Sequence, residues 1–179
     1  MRIELKDIKR GGLEQGYSCS LIEFPDLIAI AEAGGPKFSE PLVFQLRLQR
    51  AGNFVEIDGH LDAVVVLKCG RCLQDFEQTL AEPFTLTFVP LLEEGETEEE
   101  VVLSPDELGL IFYQNEVLEL QESLQEQLLM AISISPVCKT SCLGLCPECG
   151  ADLNRLKCDC IRKSYSQFNV LAGMDFKKS

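Results

Sequence analysis

The chain has 179 residues and a formal net charge of −13, with a single His and no Trp. A hydrophobic fraction of 46% and a charged fraction of 25% are those of a folded soluble chain, long enough to bury roughly 70% of its unfolded surface. No apolar run approaches the ~18 residues of a membrane-spanning helix, and the acidic excess excludes coating of nucleic acid by charge alone, which needs Lys and Arg to neutralise phosphate.

The first residues, MRIELKDIKRGG, lack the apolar core of a signal peptide. A cytoplasmic, reducing location is therefore expected, where clustered cysteines favour metal over disulfides. Segments 2–8 and 17–24 read as edge strands. Residues 42–48, LVFQLRL, place Leu42, Phe44, Leu46 and Leu48 on one face of a strand and Val43, Gln45 and Arg47 on the other. Arg50 to Asn53 reads as a turn. Val55, Ile57, Leu61, Ala63, Val65 and Leu67 then form a second apolar row opposite Glu56, Asp58, His60 and Asp62. Gly59 interrupts that row and is expected to mark a bulge.

Cys69-Gly-Arg-Cys72 follows, and after it Phe76, Leu80, Phe84, Leu86 and Phe88 keep one parity, with Pro83 suggesting a bend or an edge position. Three amphipathic strands with short turns predict an antiparallel meander, with CGRC at the tip of its second hairpin. Residues 92–100 read as an acidic, solvated connection. Ser104-Pro-Asp-Glu107 carries helix-start signals. Val117, Leu120, Leu124, Leu128 and Ala131 recur at helical spacing; this predicts a helix ended by Pro136 and packed on the apolar face of the sheet. A short amphipathic helix is expected around 164–172. The fold class is α+β: an antiparallel, partly closed meander packed by a helix over residues 1–137, then a cysteine-rich metal-binding module over 138–179. Residues 1–137 hold 9 Lys and Arg against 25 Asp and Glu, net −16; residues 138–179 hold 7 against 4, net +3.

Eight of the nine cysteines are clustered: Cys69 and Cys72, then Cys138, Cys142, Cys146, Cys149, Cys158 and Cys160. A pair separated by two residues turns both sulfurs toward one ion at about 2.3 Å, as tetrahedral zinc requires. Cys146-Pro-Glu-Cys149-Gly150 has the form of a zinc knuckle, in which Pro147 stiffens the turn and Gly150 tolerates the backbone angles that follow. Two partitions are open. In one, Cys146, Cys149, Cys158 and Cys160 hold one ion while Cys69, Cys72, Cys138 and Cys142 hold another. In the other, Cys146 and Cys149 share a single ion with one sulfur each from 138/142 and 158/160. One or two structural zinc ions are thus expected. Four thiolates leave no open position for substrate, and such a site contributes on the order of 10–16 kcal/mol to a small module. Isolated Cys19 reads as a buried small hydrophobe.

A CxxC dithiol also suits redox chemistry, but that use needs a helix N-terminus in a βαβ setting. His60 sits on a polar strand face, and no phosphate-binding loop, dinucleotide fingerprint or nucleophile elbow is present. No small-molecule substrate, membrane or catalytic residue is indicated.

Three stretches together resemble one bacterial family: Val65-Val-Leu-Lys-Cys69-Gly-Arg-Cys72-Leu73, Ile134-Ser-Pro136-Val-Cys138, and Cys142-Leu-Gly-Leu-Cys146-Pro-Glu-Cys149-Gly-Ala-Asp-Leu-Asn154. Phe168-Asn-Val-Leu-Ala172, followed by lysines, fits as well. The chain resembles the YceD-type large ribosomal RNA subunit accumulation proteins from about residue 40 onward. The resemblance implies a non-enzymatic cytosolic factor for synthesis, processing or stability of 23S rRNA. Its partner would be large-subunit rRNA or a basic ribosomal or assembly protein. Arg155, Lys157, Arg162 and Lys163, with Leu143, form the nearest basic or exposed surface for such contact. The other classes weighed are a thiol-redox or nuclease enzyme and a zinc-ribbon nucleic-acid-binding regulator.

Overall fold

The computed structural model describes residues 1–91 and 109–160. The acidic stretch 92–100, the helix start at Ser104, the helix expected at 164–172, and Arg162 and Lys163 lie outside the described residues. In chain order the elements are β1 (Arg2–Glu4), β2 (Leu13–Cys19), α1 (Pro25–Glu32), β3 (Lys37–Ala51), β4 (Phe54–Lys68), β5 (Asp75–Pro90), β6 (Leu110–Tyr113), β7 (Val117–Glu119) and α2 (Gln121–Met130). The fold is mostly sheet with two helices.

Strands β2, β3, β4 and β5 pair antiparallel in sequence order, as the alternating pattern predicts, and the sheet continues to β6. The last pairing is parallel, with Thr87 opposite Leu110 and Pro90 opposite Tyr113. The sheet is therefore mixed and open rather than a purely antiparallel, partly closed meander: β2 and β6 are its two ends among the described residues. Period-two alternation marks strands and their faces but carries no direction, so it could not tell a parallel sixth strand from an antiparallel one. Pro83 lies in β5 upstream of the β6 pairing, along the edge where a missing N–H costs no ladder bond to a further described strand.

One face of the sheet is apolar. Phe44, Leu46 and Leu48 of β3, Val55, Ile57, Leu61, Ala63, Val65 and Leu67 of β4, and Leu80, Leu86 and Phe88 of β5 are all buried in a single core. Leu124 and Leu128 of α2 join the same core, as do Leu118 and Leu120 just before it.

Gly59 is not a bulge. It pairs in register with Leu46 on one side and Phe84 on the other. The Phe84 ring occupies the space a side chain would need, since a Cβ at Gly59 would lie 2.2 Å from its Cζ. The break in register falls instead in β3, between Ser39 and Val43, where Glu40-Pro41 interrupts the ladder.

The N-terminal segments also depart from expectation. Residues 2–4 pair with β7 in a separate two-stranded ribbon, Ile3 opposite Leu118. Residues 21–23 form a 3₁₀ turn, closed by a capping box between Ser20 and Glu23, and lead into α1. Pro25 opens α1 at a position where its missing N–H is harmless. The second helix starts later and ends earlier than predicted: 117–119 is strand, and α2 stops at Met130, six residues before Pro136. Leu118 and Leu120 have strand parity while Leu120, Leu124 and Leu128 have helical spacing, so the two periods overlap there. Gln121 Nε2 donates to the Glu23 carbonyl at 2.5 Å and Gln125 Nε2 to Asp26 Oδ2 at 3.1 Å, laying α2 beside α1. No helix among the described residues is long and apolar enough to cross a membrane.

Gly59→Val forces the Phe84 ring aside and is expected to destabilise the protein by about 1–3 kcal/mol in urea unfolding. In a Phe84→Ala background the same change should cost far less, because valine suits a strand and the clash is gone. A double-mutant cycle with no coupling would rule out ring-on-glycine packing.

Candidate metal centres

The β4–β5 hairpin ends in a knuckle. Cys69 N–H donates to the Gln74 carbonyl and Leu73 N–H to the Cys69 carbonyl, both at 2.9 Å, while the Arg71 N–H points at Cys69 Sγ at 3.4 Å. The same two backbone bonds recur at the second CxxC. Cys146 N–H donates to the Ala151 carbonyl at 2.8 Å and Gly150 N–H to the Cys146 carbonyl at 2.9 Å. In both knuckles the residue after the second cysteine has a positive φ: +73° at Gly150 and +60° at Leu73. Glycine adopts that angle freely. A leucine there costs about 1–2 kcal/mol, and Leu73 is also 55% exposed.

The structure gathers the eight clustered cysteines four and four. Cys69, Cys72, Cys138 and Cys142 have their sulfurs within 4.8 Å of one another, and so do Cys146, Cys149, Cys158 and Cys160. These groups, termed the inner and outer sites, correspond to the paired partition and not to the merged one. Cys69 Sγ lies 3.9 Å from Cys142 Sγ and Cys72 Sγ 3.8 Å from Cys138 Sγ. A tetrahedron with 2.3 Å metal–sulfur bonds has edges of about 3.8 Å, and all nine cysteines are free thiols. Donor set and spacing fit a four-coordinate ion at each site. Cys19 is buried in the core, as expected of an isolated cysteine.

The sites differ in surroundings. Cys69, Cys72 and Cys142 are buried, and Val137, Leu145 and Phe76 pack around them. Cys149 and Cys160 of the outer site are exposed. In the inner site the backbone N–H groups of Cys138 and Cys72 pull Cys69 down to about 6, while burial and the sulfurs of Cys69 and Cys142 push Cys138 up to about 12. In the outer site the N–H groups of Cys149 and Glu148 pull Cys146 down to about 6, and the Cys149 sulfur together with burial pushes Cys160 up to about 12. Each group thus holds a thiolate made ready by backbone dipoles and a thiol whose proton a cation would displace, so metal binding releases protons and weakens as pH falls.

Three residues of the cysteine motifs to which the sequence assigned no role build the junction between the sites. Arg71, in the first knuckle, accepts the Leu145 N–H on its carbonyl at 3.0 Å, and its guanidinium donates to the Cys142 carbonyl at 3.1 Å. Asn154 accepts the Leu143 N–H at 2.9 Å and turns its amide toward Cys142 Sγ at 3.5 Å. Gly144, at φ +75°, passes so close to Arg71 that a Cβ would sit 3.0 Å from its carbonyl oxygen. Of the residues expected to contact RNA or protein, Arg155 is exposed with its Nε 3.6 Å from Asp152 Oδ2, and Lys157 and Leu143 are exposed on the same loops. His60 is half-exposed, 3.7 Å from the Asp62 carboxylate, and belongs to neither site.

The family described as "Large ribosomal RNA subunit accumulation protein YceD" matches residues 57–175, a span that includes all eight site cysteines. An uncharacterised protein of Mycobacterium tuberculosis (strain ATCC 25618 / H37Rv) is 31% identical over 113 residues, covering 63% of this chain and 51% of that protein. A chloroplastic large ribosomal RNA subunit accumulation protein YCED homolog 1 of Arabidopsis thaliana is 27% identical over 150 residues, 69% of this chain and 44% of its own length. Its Zea mays counterpart is 24% identical over 174 residues, 80% of this chain and 56% of its own length. The chain spans about half the length of the curated relatives it matches. No solved structure matches significantly. With two thirds of its length matched, the inner and outer sites included, the chain belongs to the YceD family of large ribosomal RNA subunit accumulation proteins.

Proposed function

We propose that this protein is a non-enzymatic factor that supports the synthesis, processing or stability of 23S rRNA, acting in the cytoplasm with two structural zinc ions. The observation that carries this reading is the family match over residues 57–175, which spans the hairpin knuckle and both sulfur clusters. The chloroplast relatives are named for accumulation of large-subunit ribosomal RNA. Cys69, Cys72, Cys138 and Cys142 would hold one zinc, and Cys146, Cys149, Cys158 and Cys160 the other. Zinc suits four thiolates in a tetrahedron, and with every coordination position filled its role is to fix the chain rather than to activate water.

The partner is large-subunit rRNA or a basic ribosomal or assembly protein. The outward row Glu56, Asp58 and Asp62 on β4 favours the second, since complementary charge speeds encounter and rejects wrong partners. Arg155, Lys157, Arg162 and Lys163, which flank Cys158 and Cys160 in sequence, are the basic residues that would meet RNA.

Metal analysis of freshly prepared, anaerobic protein should give two zinc per chain; one equivalent, or iron, would contradict the assignment. Depleting the protein from its host should lower 23S rRNA relative to 16S rRNA. The wild-type gene should restore the ratio and a Cys69→Ser/Cys72→Ser variant should not. An unchanged ratio on depletion would refute the functional reading.

A further inference from the structure

The two tetrathiolate sites are supported by different parts of the chain. Cys69 and Cys72 stand on a hairpin whose strands pair without a break from Val55–Phe88 to Lys68–Asp75. That ladder is held by its own backbone pairing and by the buried apolar rows of β4 and β5 rather than by the sulfurs, so half of the inner site has a frame of its own. Pro136, just before Cys138, is tied to the same tip by the Gly70 N–H at 2.8 Å. The outer ligands have no such frame. Residues 143–160 contain no helix or strand beyond the isolated bridge between Leu145 and Asp152.

What positions the outer loop is the inner site. Leu145 hangs from the Arg71 carbonyl, and Leu153 N–H reaches the Gly144 carbonyl at 2.9 Å. Asn154 lies between the outer ligands Cys149 and Cys158, yet its side chain serves the inner site through Cys142 Sγ and the Leu143 N–H. Its orientation is set from its own loop: its backbone N–H and its amide both donate to Asp152 Oδ1, at 2.9 and 2.7 Å.

On the reading that each cluster binds zinc, we propose that the sites form a ranked, coupled pair: the buried inner ion is retained, the exposed outer ion is exchangeable, and Asn154 links their occupancies. The coupling is reciprocal, since any help the inner ion gives the outer must be returned by the same factor. Rank comes from preorganisation and burial, which differ between the sites. The outer site then acts as a metal-responsive element: zinc orders the loops that carry Cys149, Cys158 and Cys160 and scarcity releases them, while Leu143, Leu145 and Asn154 stay docked on the inner site.

The test starts from zinc-loaded, full-length protein challenged with a chelator in steps. At each step free thiols are alkylated with iodoacetamide and located by mass spectrometry. Two zinc at the outset tests the tetrathiolate reading by itself, and fewer than two overturns that reading and the ranking with it. Given two, loss of the first equivalent should expose Cys146, Cys149, Cys158 and Cys160 while Cys69, Cys72, Cys138 and Cys142 stay protected. Simultaneous exposure, or inner exposure first, overturns the ranking and leaves the zinc assignment intact. Asn154→Asp keeps the acceptor for the Leu143 N–H but loses the donors to Cys142 Sγ and Asp152 Oδ1 and sets a second carboxylate beside Asp152. It should still bind two zinc and weaken inner-site retention about 10–100-fold in chelator competition. Wild-type retention in that variant would overturn the role given to Asn154.

Discussion

The placement of residues 138–160 hangs on the meeting of four sulfurs at the tip of one β-hairpin. Cys69 and Cys72 arrive on strands whose apolar faces are buried in the main core. Cys138 and Cys142 arrive on a connection without regular structure. Hydrophobic burial accounts for the sheet and for α2, but residues 138–160 offer little to bury: Leu143 and Leu156 face solvent. Thiol convergence, backed by N–H groups aimed at sulfur, supplies in that segment the order that side-chain packing supplies in the sheet.

The sheet is in turn what makes the hairpin tip a fixed point. Fourteen consecutive residue pairs between β4 and β5 keep one parity, from Val55 opposite Phe88 to Lys68 opposite Asp75. A one-residue slip would turn the apolar row outward and carry Cys69 away from Cys142. Phe84 over Gly59 guards that alignment at mid-strand by filling a gap that only its own register places opposite. Positions far from the sulfurs thus set the geometry in which the sulfurs meet.

The long strands and the hairpin tip could be read from the residues because period two and the CxxC spacing are local signals. Non-local facts could not. The parallel pairing of β6 depends on which way the chain returns, and the ribbon of β1 with β7 joins residues more than a hundred positions apart. The boundary between β7 and α2 was hidden because Leu118, Leu120 and Leu124 satisfy both periodicities in part. Helix α1 is short and carries one buried side chain, Leu27, so its amphipathic signal is faint. At the sulfur sites, residue type and spacing named the donors but left their partition open, since spacing alone cannot say which pairs the fold brings together. Asn154 and Arg71 act through an amide and a carbonyl placed by tertiary structure, which no spacing rule announces.

The identical wiring of the two knuckles has an electrostatic corollary. A doubly charged cation among four thiolates leaves a −2 complex, and each of these sites is such a complex when filled. Residues 138–160 otherwise balance, with Lys139, Arg155 and Lys157 against Glu148, Asp152 and Asp159. Occupied, the two sites would make residues 138–160 and the knuckle that joins them net negative, while residues 161–179 hold Arg162, Lys163, Lys177 and Lys178 against Asp175 alone. Metal loading would thus set an acidic stretch directly beside a basic one, a contrast in charge that the same sequence with neutral thiols does not have.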